Sequence, residues 1–168
     1  MECEAPAFVF AKMGVVHFDF IEHQRPPGPA YLWRPFGDGR RSDPNFNARW
    51  WSERNFLDTS RLLSVEVNGM ELGRIEIDRV PHLASNQGAS HLGLVREIHY
   101  LEVSRAHVGQ GLGTKIVGWL ETEFSDARLI ASADSAVGFW ASLGGWELVD
   151  HADGIRGDWA LYVSRPVA

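Results

Sequence analysis

Short segments in which hydrophobic and polar residues alternate recur along the chain and predict a protein rich in β-strands. Between two of them lies Asn68-Gly69, a dipeptide that strongly favours a tight β-hairpin turn. The first segment is rich in Val and Phe and fits either a pair of strands or one long bent strand. The predicted strands cover residues 8–21, 61–67, 71–80, 94–103, 128–133, 146–149 and 159–163.

Three other segments show helical spacing. Residues 44–57 carry aromatic side chains at that spacing, after Asp43 as a candidate N-cap and Pro44 at the first helical position. Two more helices are predicted at 111–125 and 134–143. Strands come first and then alternate with helices, which implies a mixed α/β sheet with helices on both faces. A chain of 168 residues suits a single domain, here 1–168.

The most informative segment is the turn Val108–Thr114, which joins a predicted strand to a predicted helix. Glycine occupies three alternate positions, Gly109, Gly111 and Gly113, so the backbone can turn sharply and approach a ligand. The following helix presents unpaired N–H groups and the positive end of its dipole, which favour an anion. The spacing G-x-G-x-G matches neither the dinucleotide fingerprint G-x-G-x-x-G nor a P-loop ending in G-K-[ST].

Composition narrows the function further. The net charge of −6 and pI near 5.6 argue against a nucleic-acid partner, because such proteins usually present a basic face. No run of eighteen apolar residues predicts a membrane span, and the acidic N-terminus lacks a signal-peptide pattern. The one cysteine, Cys3, rules out an internal disulfide framework and gives no metal cluster. We expect a cytoplasmic protein without a metal.

Two motifs resemble one enzyme family. Val103 closes a strand, and Gly111-x-Gly113 follows eight residues later, which is similar to the acyl-CoA signature Gln/Arg-x-x-Gly-x-Gly/Ala of the GNAT N-acyltransferase superfamily. Val108 stands where the family usually has Arg or Gln. The segment from Ala136 to Trp146 resembles the family's A-x-x-F-Y-x-x-L-G-F motif, with an extra glycine and with Trp140 in place of a Tyr that often protonates the leaving thiolate.

The resemblance implies a GNAT-like α/β (α+β) fold: a mixed, mostly antiparallel sheet of six to seven strands flanked by about four helices. It implies transfer of an acetyl group from acetyl-CoA to a primary amine of a small molecule or peptide. Acceptor specificity would lie in the irregular segment 23–56 and the polar loop 81–93. A homodimer is a reasonable expectation from the family.

The resemblance also assigns residues to the cofactor. The glycine turn and the helix dipole would hold the CoA pyrophosphate, while the strand backbone would lie beside the pantetheine arm. Arg105 or Lys115 could reach an outer phosphate, and Trp140 could pack against the pantetheine. The predicted cofactor-binding residues are Leu101, Glu102, Val103, Val108, Gly109, Gln110, Gly111, Leu112, Gly113, Thr114 and Trp140.

Candidate catalytic residues lie on the strand before the turn. Strict alternation places Glu97, His99, Leu101 and Val103 on one face. Glu97 stands six residues before Val103, where some family members carry a catalytic Glu, and we take it as the first candidate base. His99 is the second, since an imidazole titrates near neutral pH. The departures at Val108 and Trp140 motivate one alternative, a catalytically weak acyl-CoA-binding regulator of the same fold. A second alternative, an acetyltransferase acting on charged tRNA, is disfavoured by the acidic net charge.

Overall fold

The described part of the chain folds around one seven-stranded mixed sheet. The structure is a computed structural model that describes residues 17–29, 32–37, 43–56, 58–78, 92–133, 136–149 and 160–165. The strands are β1 (Asp19–Glu22), β2 (Ser60–Val67), β3 (Met70–Asp78), β4 (Val95–Val103), β5 (Arg128–Ala133), β6 (Trp146–Val149) and β7 (Ala160–Ser164). The predicted fold class is confirmed, and the predicted strand segments agree with these bounds to within a few residues wherever the chain is described.

The strand order across the sheet is β1-β2-β3-β4-β5-β7-β6. All neighbours run antiparallel except β4 and β5, which are parallel and connected through a helix. The hairpin between β2 and β3 turns at Asn68 and Gly69, whose φ angles are 52° and 75°. Both angles are positive, as a two-residue turn matching the twist of the strands requires.

Three α-helices accompany the sheet in the described residues, against about four expected. They are α1 (Ala48–Trp51), α2 (Leu112–Glu123) and α3 (Val137–Ser142), and a 3₁₀ turn covers Arg105–His107. The helix predicted over 44–57 is wrong in extent, because the Asp43 carboxylate accepts from Asn45 N–H at 2.8 Å in a separate turn. Asn47 is the true N-cap of α1, accepting from Arg49 N–H at 3.0 Å.

Each face of the sheet is covered by its own apolar layer. One face packs against α2 and α3 in the main core, in which Ile75, Ile116 and Leu120 are at most 1% exposed. The other face packs against the aromatic residues around α1: Trp33, Phe36, Phe46, Trp51 and Phe56 are buried there.

Some sequence predictions concern parts of the chain outside the described residues. These include Cys3, residues 8–16 of the strand segment 8–21, and residues 81–91 of the loop 81–93. In the described part, no helix is both long and apolar enough to cross a membrane.

Candidate functional site

The site begins where two parallel strands separate. β4 and β5 pair only from Val95↔Arg128 to Glu97↔Ile130. β4 then continues to Val103 with β3 along its other edge. No strand of the described chain pairs with the β5-facing edge of β4 beyond Glu97. The backbone donors and acceptors at this edge, along Leu101–Val103, can therefore meet a ligand.

The glycine turn closes the end of this opening. Gly109 and Gly111 have φ angles of 80° and 75°, in the left-handed region that other residues adopt only with strain. Gly111 is the N-cap of α2, and the first turn of that helix carries no acidic side chain. The first N–H groups of α2 therefore present a positive potential to the opening.

Glycine is needed at the third position, Gly113, for a different reason. A Cβ added to Gly113 would lie 2.9 Å from Cε2 of Phe139, a distance that real Cβ atoms essentially never show. Gly113 thus permits close packing of α2 against α3, which brings Phe139 to the edge of the opening.

Together these elements enclose a cleft of about 560 Å³. Most predicted cofactor-binding residues line it. Gln110 is exposed but does not line the cleft, and Trp140 is buried beside Phe139 and Trp146, with ring centroids 5.0 Å and 4.9 Å away. The predicted residues in the lining are Leu101, Glu102, Val103, Val108, Gly109, Gly111, Leu112, Gly113 and Thr114.

Several lining residues were not among the predicted cofactor-binding residues. Trp50, His107, Ala136 and Phe139 also line the cleft, and so does Arg105, which was predicted only as one of two residues for an outer phosphate. Trp50 and Phe139 lay within aromatic or family-like motifs, so a signal existed for them. Nothing in the local pattern marked His107.

The ionisable side chains of the lining favour an anion. Arg105 and His107 stand on the 3₁₀ turn, and Arg105 also donates to the carbonyl of Pro44 at 3.2 Å. The acidic residue of the lining, Glu102, has its carboxylate engaged elsewhere. It accepts from Trp51 Nε1–H at 2.6 Å and from the backbone N–H of Asn47 at 3.0 Å.

The two candidate bases lie together where the strands separate. Glu97 is 7% exposed, and its carboxylate accepts from Ser132 Oγ at 3.3 Å. Nε2 of His99 lies 3.5 Å from the other carboxylate oxygen. Neither residue is in the lining of the cleft. Their catalytic role stays a prediction.

A β-bulge at His99 makes the predicted strict alternation of β4 wrong. Glu76 of β3 faces Tyr100 and the next residue, Ile77, faces Ile98, so His99 is an extra residue in β4. Ile98 consequently contacts the same core layer as Leu101 and Val103. The bulge bends β4 at the point where the strand separates from β5. Bulges are over-represented next to functional sites.

Comparison with known proteins bears on the fold. No family model and no curated protein matches the sequence. Among solved structures, the ribosomal-protein-S18-alanine N-acetyltransferase from Escherichia coli is 14% identical, with 90% of this chain and 95% of that chain covered and a TM-score of 0.52. The Bacillus subtilis N-acetyltransferase YlbP, solved in complex with coenzyme A, is 13% identical, with coverages of 70% and 73% and a TM-score of 0.51.

An acetyltransferase from Thermus thermophilus is 15% identical, with a TM-score of 0.47. The match covers 63% of this chain and only 64% of that chain. At such identities the likeness concerns the fold alone. The chain has the fold of the GNAT-type acyl-CoA N-acyltransferases, as its strand and glycine-turn motifs predicted.

Proposed function

We propose that the protein is an N-acetyltransferase that moves an acetyl group from acetyl-CoA to a primary amine of a small molecule or peptide. One observation carries the proposal: a single cleft joins the unpaired edge of β4 to the N-terminus of α2 through the glycine turn. An extended ligand with an apolar arm and a diphosphate needs both features together. The acetyltransferase neighbours support the same activity.

The residues present suit acyl-CoA. Backbone N–H groups between Val108 and Thr114 would bind the pyrophosphate, with the guanidinium of Arg105 adding positive charge beside it and His107 also in the lining. The edge of Leu101–Val103 would hydrogen-bond the amides of the pantetheine arm. Because backbone groups bind the phosphates here, Val108 is compatible with binding even though the family usually has Arg or Gln.

The acceptor nitrogen must lose a proton before it can attack. An alkyl amine with a pKa near 10 is about one part in a thousand neutral at pH 7, which costs about 4 kcal/mol. We assign the acceptance of that proton to Glu97, directly or through a water molecule, with His99 as the second candidate. Acetyl-CoA supplies an electrophilic acyl carbon and a thiolate that leaves readily.

The test is thiol release from acetyl-CoA over a panel of primary amines, with and without protein. The proposal expects release that depends on both protein and amine. Tight binding of CoA without thiol release for any amine would instead favour an acyl-CoA-binding regulator. One observation keeps that second candidate in view: Trp140, at the position of the usual proton-donating Tyr, is buried outside the cleft lining.

A further inference from the structure

Trp50 forms a wall of the cleft, although its neighbour Trp51 on α1 is fully buried. The indole of Trp50 packs on Tyr100 of β4, with ring centroids 5.1 Å apart. Tyr100 is also covered by the guanidinium of Arg54, whose Cζ lies 4.3 Å from the ring centroid. The Trp50 indole therefore has an aromatic support rather than open solvent behind it.

Hydrogen bonds to two residues, Glu102 and Arg54, hold the helix that carries this indole. The Glu102 carboxylate accepts from Asn47 N–H at 3.0 Å and from Trp51 Nε1–H at 2.6 Å. Arg54 Nε donates to the carbonyl of Trp50 itself at 2.7 Å. Arg54 is in turn paired with Glu76, which is 1% exposed. A helix of only four residues has little stability of its own, so these contacts set its position.

The direction of the cleft places Trp50 opposite the phosphates. The glycine turn and the N-terminus of α2 form the end that attracts an anion. Along β4 the lining runs away from that turn through Val103, Glu102 and Leu101, and Tyr100 is the next residue in the same direction. An indole packed on Tyr100 thus stands at the end where the thioester of a bound acyl-CoA would lie.

We propose that Trp50 limits the length of the acyl chain, so that the site accepts short acyl groups and excludes longer ones, and that Glu102 is the positioning residue that holds Trp50 in place. The inference rests on the proposed function and adds to it the residue that sets the length of the acyl chain. The indole is rigid and bulky and packs on Tyr100, so it cannot fold aside for added methylenes as a flexible side chain would.

The experiment compares the binding of acetyl-CoA and hexanoyl-CoA by calorimetry to the wild type and to Trp50→Ala. The wild type should prefer acetyl-CoA, and Trp50→Ala should shift the affinity ratio towards hexanoyl-CoA by about tenfold or more, as expected when a pocket gains room for methylenes. Trp119→Ala is the matched control. Trp119 stacks on Phe20 at 3.6 Å, away from the cleft lining, and its loss should leave the ratio unchanged.

Glu102→Gln tests the positioning role with the side-chain size retained. The amide NH₂ of Gln would face the N–H groups of Asn47 and Trp51 that now donate to the carboxylate. The ratio of the two affinities should therefore shift in the same direction by a smaller factor. A purely structural role would lower the melting temperature and leave the ratio as it was.

The results distinguish a failure of the role assigned to Trp50 from a failure of the proposed function. Binding of both donors with the same ratio in wild type and Trp50→Ala would overturn the assignment of Trp50, while the proposed function would stand. If the wild type bound neither donor, both the proposed function and this inference would be overturned.

Discussion

Replacing Gly111 by Val tests the glycine turn most sharply. Gly111 has a φ of 75° and caps α2, and a Cβ added there would meet nothing within 4 Å. The substitution therefore acts through backbone strain and not through a clash. A non-glycine residue in the left-handed region costs about 1–2 kcal/mol, and relief of that strain would turn the N–H groups of the loop away from the cleft.

The expected magnitudes follow from this geometry. Loss of two hydrogen bonds to phosphate oxygens, at about 1.5–3 kcal/mol each, would weaken CoA binding by about 100-fold to 10,000-fold. The strain would lower the melting temperature by only about 2–8 °C in a domain of this size. Gly111→Val should therefore be folded at 25 °C and nearly unable to bind CoA.

Calorimetric titration with CoA, beside a thermal melt, gives both quantities. Gly118→Val is the matched control, since Gly118 lies on the same helix with an ordinary φ and nothing within 4 Å of its added Cβ. The control should keep the wild-type affinity. An unchanged dissociation constant in Gly111→Val would refute the assignment of the phosphate site to this turn.

Three further predictions concern the base, a half-buried histidine and the buried ion pair. Glu97→Gln should lower kcat most at low pH, where deprotonation of the amine is hardest; an unchanged pH–rate profile would make Glu97 structural. Burial lowers the pKa of His23 below its ordinary value of 6.5, so the unfolded chain binds a proton more readily than the folded protein. The free energy of unfolding should therefore be highest above that pH and decrease as the pH drops below it. Urea titrations at several pH values should show this decline in the wild type and a flatter profile in His23→Gln. Arg54→Met leaves the buried Glu76 carboxylate without its guanidinium and should cost about 3 kcal/mol in a urea titration, whereas a loss below about 1 kcal/mol would contradict a buried pair.

Local patterns predicted the elements whose signals are local. The hairpin at Asn68-Gly69 and the strand Arg128–Ala133 were predicted from turn chemistry and from β-branched and apolar runs, and the structure has both. The positive φ at Gly109 and Gly111 was also foreseeable, because glycines at alternate positions before a helix favour a backbone in the left-handed region.

Features that depend on contacts between distant residues were not predicted from the sequence. The helix predicted over 44–57 shrinks to Ala48–Trp51, and the Glu102 carboxylate, far away in sequence, binds its first turn at Asn47. The bulge at His99 depends on the register with β3, which no alternation within β4 reveals.

The lining of the cleft also depends on contacts between residues that are distant in the sequence. Spacing marked Trp50 as aromatic and helical, but its exposure to the cleft follows from packing on Tyr100. The need for glycine at position 113 likewise follows from Phe139, which belongs to another helix. Sequence motifs therefore predicted the residues at the glycine-turn end of the cleft better than those at its far end.

A crystal structure of the protein with CoA would show whether this cleft binds the cofactor. The pyrophosphate should lie within hydrogen-bond distance of the backbone N–H groups of Val108–Thr114, with the pantetheine arm along the β4 edge at Leu101–Val103. CoA bound at any other surface, or no bound CoA in crystals grown at saturating concentration with this cleft open to solvent, would contradict it.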